Sequence, residues 1–338
     1  MPTSKERRPS QFPSILKFSA ALLCVAVVLT GCTHNVDVSQ HVRKNLAAPD
    51  RSGTTLAVYE AWFGAPDHIN VGYSSHDRVL LARQIEQARG MGIAGFIVDW
   101  YGTKKPFIDR SFALMAEQAA EHDFKVALMY DELVRDNNST EDTIAALDYA
   151  YQKYIGATAP YGKAYLRHDG HPVIFIWTNS DRTDWNAVRE HVQHWPEVPL
   201  LIDRQHTTPY LKAFDGVYAW INPGKQGWKQ DGSNWGDEYL RSFYSQAPVK
   251  YPGKLILGAA WPGFDDRRAS WGQHRYMAYR CGKTLEDTIR AYWAFARSTD
   301  SSPFLVLATW NDYEEATAIE RGLADPSIER QWTDSHCN

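Results

Sequence analysis

The sequence has few cysteines and no excess of basic charge. It contains only four cysteines in 338 residues, none of them paired at the spacing of a metal site, and its twelve histidines are scattered. We therefore predict no metal and no cofactor. The formal net charge of -4 gives no electrostatic advantage to nucleic acid or to an anionic membrane surface as a partner.

Long apolar runs are also missing, apart from residues 18–29, which follow a basic N-terminus. This run is too short to span a bilayer as a stable helix, but it suits a signal peptide. It ends in Leu29-Thr30-Gly31-Cys32, which resembles the lipobox of bacterial lipoproteins. The resemblance implies cleavage before Cys32 and acylation of that cysteine. The alternative is an ordinary N-terminal membrane anchor with a chance cysteine.

This interpretation divides the chain into a signal peptide (1–31), a lipidated cysteine with a flexible tether (32–54), a folded domain (55–325) and a C-terminal tail (326–338). We expect a monomer in the cell envelope. The outer membrane is favoured because Thr33 is not the Asp associated with inner-membrane retention. Export leaves Cys281 and Cys337 in an oxidising compartment, where they can pair, although spacing alone supplies no geometry.

From residue 55 onward, short apolar runs alternate with stretches of helical period. The eight predicted strands are residues 56–62, 95–100, 125–130, 172–177, 199–203, 216–220, 255–261 and 304–310. The clearest helices are residues 77–90, 140–154 and 285–296. Eight β–α alternations predict a single (β/α)8 TIM barrel of the α/β class. A doubly wound open sheet is less favoured, because no G-x-G-x-x-G follows the first strand.

Aromatic residues are abundant, with 13 Trp and 18 Tyr. Six predicted strands end in tryptophan, at Trp62, Trp100, Trp177, Trp220, Trp261 and Trp310. Carboxylates gather at the same level: Glu60, Asp99, Asp131, Glu132, Asp203, Asp265, Asp266, Asp312, Glu314 and Glu315. Because active sites of such barrels lie at the C-terminal ends of the strands, this pattern indicates an aromatic cleft with acidic groups. Taken alone, each tryptophan favours core packing over binding, but six at the same rim favour a cleft.

The segment with the clearest chemistry follows the last predicted strand. If a helical turn begins there, Asp312 and Glu315 are three residues apart on one face, with Cβ atoms roughly 5–6 Å apart. Two carboxyls this close repel each other when charged, so one holds its proton toward neutral pH. Glycoside cleavage requires this division into acid and base. The competing interpretation is a helix N-terminus at which acidic residues are simply favoured.

The same segment resembles the signature of glycoside hydrolase families 71 and 99. The patterns are W-N-D-Y-G-E, matched by Trp310, Asn311, Asp312, Tyr313 and Glu315, and W-N-E-W-H-E-G-T-x-I-E-P, matched later by Thr317, Ile319 and Glu320. Residues 58–64, 71–77 and 92–102 resemble the earlier family motifs Y-Y-A-W-Y-G, V-G-Y-x-S-x-D and G-I-x-G-F-x-x-D/S-W-x-G. The resemblance covers residues 56–322.

The resemblance implies hydrolysis of α-linked glycans, either α-mannan or α-1,3-glucan. It assigns assistance to the sugar 2-hydroxyl to Asp312 and the general acid and base roles to Glu315. Two departures from family 99, Asp at 312 and Glu at 314, lean toward family 71, where inversion through an activated water is plausible. Inverting carboxyls lie roughly 6.5–9.5 Å apart, and the sequence leaves the stereochemistry open.

Further residues at the strand ends are candidates for contact with sugar hydroxyls, with a structural role as the alternative. The predicted substrate-binding set is Tyr59, Glu60, Trp62, Asp99, Trp100, Tyr101, Tyr130, Glu132, Trp177, Trp220, Trp261, Trp310 and Asn311. The mixed-charge run 265–268 is interpreted as a solvated loop. The rival function is a non-catalytic glycan-binding lipoprotein, which the presence of both Asp312 and Glu315 disfavours. A metal-dependent hydrolase is disfavoured because no His-x-His follows the first strand.

Overall fold

The computed structural model describes residue 46 and residues 53–132, 139–178, 182–204, 209–300 and 302–329. All of them belong to the second of two units into which the chain divides, residues 35–338. The predicted signal peptide, Cys32, and nearly all of the tether and the tail lie outside the described residues. In the part of the chain that is described, no helix is both long enough and apolar enough to cross a membrane.

The described residues form eleven strands, and eight of these are parallel and form the centre of the domain. In chain order the strands are β1 Thr54–Tyr59, β2 Gly95–Trp100, β3 Lys125–Asp131, β4 Arg167–His168, β5 His171–Trp177, β6 Leu200–Arg204, β7 Gly216–Tyr218, β8 Leu255–Ala260, β9 Phe264–Asp265, β10 Tyr276–Met277 and β11 Phe304–Leu307. The first strand β1 pairs in parallel with both β2 and β11, and the remaining neighbours follow β3, β5, β6, β7 and β8. The sheet therefore closes on itself, which confirms the predicted (β/α)8 barrel.

The shorter strands lie outside this ring. Strand β4 forms an antiparallel pair with β5, and β9 pairs antiparallel with β10 as a separate hairpin. This hairpin follows β8, so it projects from the C-terminal end of the barrel.

Helices cover most of the barrel's outer surface. They are α1 Arg78–Gly90, α2 Pro106–Glu121, α3 Thr140–Ala150, α4 Trp185–Val192, α5 Asp237–Lys250, α6 Lys283–Ala296 and α7 Pro326–Glu329. The three helices predicted most clearly are confirmed, and Asp77 caps α1 by accepting the N–H groups of Val79 and Leu80. A π-helical turn, Tyr151–Ile155, continues α3.

The predicted regular alternation fails between β6 and β7. Among the described residues of this connection only a 3₁₀ turn, Leu211–Ala213, is present. The connection is too short for a helix of ordinary length.

The predicted strands also extend too far at their C-terminal ends. Strand β1 ends at Tyr59, β7 at Tyr218, β8 at Ala260 and β11 at Leu307. The tryptophans assigned to these four strand ends therefore lie in the loops that follow, where backbone alternation no longer decides their direction.

Candidate active site

Asp312 lies in a tight turn after β11 and is fixed by hydrogen bonds from its own segment. Its Oδ1 accepts the backbone N–H groups of Glu314 and Glu315, both at 2.8 Å. Its own N–H donates to Thr309 Oγ1 at 2.8 Å. The turn is not helical, in contrast to the sequence-based expectation. Two N–H donors on one oxygen favour the charged form of this carboxyl and hold its orientation.

Glu315 is held by the β9–β10 hairpin, which comes from a different part of the chain. Its Oε1 accepts the indole N–H of Trp271 at 3.0 Å. Its backbone carbonyl accepts the N–H of Asp265 at 3.0 Å. The hairpin and the turn after β11 are therefore joined at the residue predicted to be the general acid.

Glu320 anchors the far end of the same segment to the barrel. Its carboxylate is buried and accepts hydroxyls of Tyr73 at 2.6 Å and Tyr313 at 2.9 Å, together with the Gln84 side-chain amide at 2.8 Å. Burial raises the pKa of Glu320 to about 7, while these donors act in the opposite direction. The segment is thus fixed at both ends.

A second pair of carboxyls, Glu60 and Asp99, lies beside Asp312 and Glu315. Glu60 follows β1 and Asp99 lies in β2, so neighbouring parallel strands bring them to the same end of the barrel. Tyr101 donates its hydroxyl to Asp99 Oδ2 at 2.6 Å. Glu60 Oε2 and Asp99 Oδ1 are buried and accept no hydrogen bond from any described residue.

Asn311 clamps the backbone at Glu60. Its Oδ1 accepts the Glu60 N–H at 2.7 Å, and its Nδ2 donates to the Glu60 carbonyl at 3.0 Å. The side chain predicted to bind substrate therefore joins the turn after β11 to the end of β1. These two hydrogen bonds are one reason why the two carboxyl pairs lie together.

The proximity of these acids changes their protonation. Burial raises the pKa of Glu60 well above its usual range, and the charges of Asp99, Asp312, Glu315 and Asp131 raise it further. Burial raises the pKa of Asp99 to about 7. Burial also raises the pKa of both Asp312 and Glu315, and for Asp312 the charge of Glu315 comes next. The cluster therefore retains protons near neutral pH, as an acid–base site requires.

Aromatic rings lie beside Glu315. Trp62 is only 5% exposed, since its ring stacks on His68 at 4.7 Å and lies parallel to Tyr101 at 6.5 Å. Trp271 is 43% exposed and stands nearly perpendicular to Trp62 and His68, about 6 Å from each. His68 Nδ1 lies 2.7 Å from Glu314 Oε2. The aromatic wall next to the acids therefore consists of a covered stack and one open indole.

Trp177 and Trp220 lie at the end of β5 and after β7. Their rings are perpendicular at 4.9 Å, and the guanidinium of Arg204 sits 3.9 Å over Trp177. Thr178 donates to Asp203 at 2.8 Å, and burial raises the pKa of Asp203 to about 7. A cation here already occupies the face of one tryptophan, so this region differs from the wall formed by Trp62 and Trp271.

The barrel allows a comparison with solved structures. The chain is similar in fold to a GH99 endo-α-mannosidase. That protein, from Bacteroides thetaiotaomicron and solved in complex with BIS-TRIS-propane, superposes with a TM-score of 0.61 at 19% identity, over 79% of this chain and 86% of the other. A glycoside hydrolase-like protein gives a TM-score of 0.56 at 14% identity, over 82% of this chain and 88% of the other. No protein-family profile and no curated protein matches the sequence.

Six residues predicted to bind substrate are buried in contacts with other parts of the protein, and their role in substrate binding stays a prediction. Their observed contacts are Tyr59 with Gln84 of α1, Trp100 with Asp109 of α2, Tyr130 with Thr143 of α3, Glu132 with Trp185 of α4, Trp261 with the Trp235 carbonyl, and Trp310 with the Phe96 ring. Position along a strand does not specify direction, because successive side chains point to opposite faces. Asp99 and Trp100 show this, since only the first lies among the acids.

Trp271 and His68 were missed by the sequence interpretation. Trp271 lies only three residues beyond the charged run taken as a solvated loop, and no periodicity marks either residue. The only available signal was an aromatic side chain within a polar loop at the C-terminal end of a barrel strand. Similarity in fold to the endo-α-mannosidase does not by itself locate such loop residues.

Two further observations concern metals and cysteines. Within the described ranges, no group of three or more His, Cys, Asp or Glu side chains is arranged to hold a metal ion. Cys281 forms a disulfide. The candidate partner, Cys337, lies outside the described residues.

Proposed function

We propose that this protein is a glycoside hydrolase that cleaves α-linked glycans of the α-mannan or α-1,3-glucan type. The observation that carries the proposal is the pair formed by the buried Asp312 and the partly exposed Glu315, held at the C-terminal end of a closed barrel with raised pKa values. The similarity in fold to a GH99 endo-α-mannosidase and the motifs shared with families 71 and 99 support the same substrate class.

The two acids take different roles in this proposal. Because their charges repel, the pair holds one proton near neutral pH. Two backbone N–H donors favour the charge on Asp312, and one indole N–H favours it on Glu315. We assign the proton to Glu315 because the resemblance to family 99 gives this residue the general acid role. Glu315 then protonates the glycosidic oxygen as the bond from C1 to that oxygen breaks, and the aglycone leaves as an alcohol.

Asp312 accepts a proton at the other side of the sugar. It takes this proton either from the sugar 2-hydroxyl, giving an anhydro intermediate that water opens with retention, or from a water that attacks C1 with inversion. Proton NMR of the first-formed anomer distinguishes these routes. Glu60 and Asp99 line the same position and are assigned to contact with sugar hydroxyls.

The test is product release from α-mannans and α-1,3-glucans by the wild type and by Asp312→Asn and Glu315→Gln variants. We expect turnover by the wild type and loss in both variants, with far-UV circular dichroism unchanged. Binding without cleavage in all three proteins would instead support the glycan-binding lipoprotein. Cleavage that survives both substitutions would overturn the assignment of the acid pair.

We also propose that the protein is a monomer anchored by lipid at Cys32, in the outer membrane. The proposal rests on the lipobox-like residues 29–32 and on Thr33. Incorporation of an alkynyl palmitate should require Cys32 and disappear in Cys32→Ser. Label in the inner-membrane fraction alone would exclude the outer membrane, and light scattering of the detergent-solubilised protein would report its oligomeric state.

A further inference from the structure

Trp271 combines two properties that no other tryptophan among the described residues shares. It is the most exposed large aromatic side chain of the described residues, and its indole N–H binds the carboxyl assigned as general acid. Trp62, the other tryptophan beside the acids, is covered by His68 and Tyr101. A sugar that stacks near Glu315 therefore has Trp271 as its available indole surface.

The loop that carries Trp271 is held in place by hydrogen bonds to a buried carboxylate. Asp266 is completely buried at its base and accepts the N–H groups of Gln273 and Arg275 at 3.0 and 2.6 Å. The Arg275 guanidinium also donates to Asp266 at 2.6 Å. Residues 265–275 are thus closed around one carboxylate, which gives the indole a defined position.

The ring contacts leave part of the indole open. Trp62 and His68 are stacked on each other, and Trp271 stands at 76° to the first and 69° to the second. It is nearly equidistant from both, so it stands beside the stack and does not lie on top of it. At least one indole face therefore lies outside this aromatic cluster and is available to the C–H face of a pyranose.

We propose that Trp271 forms the subsite for the leaving sugar and positions Glu315 against the glycosidic oxygen. The inference rests on the proposed hydrolase function. A general acid must lie within hydrogen-bond reach of the oxygen it protonates. The side chain that holds this acid is therefore beside the bond that breaks. Glu60 interacts through charge with Asp99, Asp312 and Glu315, and the proposed function assigns Glu60, Asp99 and Asp312 to the sugar whose C1 reacts.

Two substitutions separate the two roles. Trp271→Phe removes the N–H and keeps a ring, so sugar stacking survives. Because the N–H favours the charged form of Glu315, its loss raises the pKa of Glu315. The alkaline limb of kcat/KM on a glycan should then move to higher pH. Trp271→Ala removes the ring as well.

A change of leaving group isolates the subsite. For a glycan, Trp271→Ala should lower kcat/KM by about tenfold or more, the scale of a lost apolar contact. For the corresponding glycosyl fluoride, which has no leaving sugar and needs little acid assistance, the loss should be much smaller. Trp195→Phe is a matched control, because Trp195 also donates its N–H to a carboxylate, Asp148, at 2.9 Å, on the helical side of the barrel.

The outcomes are distinguishable from failure of the hydrolase proposal. An unmoved pH profile in Trp271→Phe, together with equal losses on glycan and fluoride in Trp271→Ala, would overturn the inference. If the wild type cleaves nothing, calorimetric titration with α-mannan and α-1,3-glucan oligosaccharides tests whether Trp271 still forms a sugar subsite. Binding weakened by Trp271→Ala keeps the subsite without the hydrolase, whereas binding unaffected by this substitution, or no binding at all, rejects the subsite.

Discussion

The two carboxyl pairs at the C-terminal end of the barrel differ in burial and in hydrogen-bond donors. Glu60, Asp99 and Asp312 are buried, whereas Glu315 is partly exposed. In the pair after β11, Asp312 receives two backbone N–H groups and Glu315 receives the indole N–H of Trp271. In the pair at the ends of β1 and β2, Asp99 Oδ2 receives the Tyr101 hydroxyl, whereas Glu60 Oε2 and Asp99 Oδ1 receive no donor from the described residues.

This difference separates two uses of a buried acid. A carboxyl that must gain and lose a proton during a reaction needs donors that stabilise its charge. A carboxyl with few donors is more stable with its proton in place, and it then offers an O–H group to a ligand or to a neighbouring acid. Sequence position alone does not distinguish the two pairs, because both lie at the C-terminal ends of barrel strands.

The largest expected effect distinguishes the two members of the first pair. Glu315→Gln should lower kcat on a glycan by about 10²- to 10⁴-fold, because the leaving oxygen loses its proton donor. With a glycosyl fluoride as the substrate, Glu315→Gln should regain most of the lost activity. Asp312→Asn should remain impaired on both substrates. Steady-state kinetics on the two substrates gives the comparison. Equal recovery in both variants would mean that the roles are not divided as proposed.

A smaller effect concerns the second pair and its cost to folding. The pKa of Asp99 is about 7 in the folded protein, above its ordinary value of 3.8. The folded state therefore binds this proton more tightly than the unfolded state does. This contribution to stability is complete below about pH 4 and is lost as the pH rises through 7.

The Asp99→Asn variant has no ionisable group at this position, so its stability should not fall in this way as the pH rises through 7. The difference in free energy of unfolding between the variant and the wild type should shift in favour of the variant by a few kcal/mol from pH 4 to pH 8. Urea unfolding at several pH values measures it. A difference that stays constant across this range would show that Asp99 ionises in the folded protein as it does in the unfolded chain.

The smallest expected effect tests residues 265–275, the loop that places Trp271 beside Glu315. Asp266→Asn weakens the acceptor that closes residues 265–275, and we expect a loss of about 1–3 kcal/mol in unfolding free energy. Activity should fall in the same way as in Trp271→Phe, and the double variant should be little worse than the more affected single variant. Fully additive losses would show that the loop does not act through Trp271.

The barrel itself was predictable, because each of its strands and helices has a local periodic pattern of apolar residues in the sequence. Apolar runs of strand length alternate with helical faces from residue 55 onward, and the closed sheet confirms this pattern. The count of strands could not predict that the described residues between β6 and β7 form only a 3₁₀ turn. Strand ends were overestimated because tryptophans such as Trp261 continue the apolar run beyond the last ladder pair.

The site was predictable where the signal lay within one segment. Asp312 and Glu315 were proposed from the resemblance to families 71 and 99 together with their spacing, but their hydrogen-bond donors come from the turn geometry and from Trp271, which is 44 residues away in the chain from Glu315. Long-range contacts of this kind leave no local pattern. For the same reason Tyr130 and Trp100 were assigned to the cleft, although they face the helices.

The β9–β10 hairpin has a consequence for redesign. Its internal bonds close on Asp266, and its link to the turn after β11 runs through Glu315 alone among the contacts described above. Such a loop is a separable cassette: its length and sequence can be exchanged while the barrel scaffold and the Asp312 turn stay unchanged. Libraries confined to residues 267–270 and 272–274, with Trp271 kept, therefore offer a route to altered chain-length preference while the indole that holds Glu315 is retained.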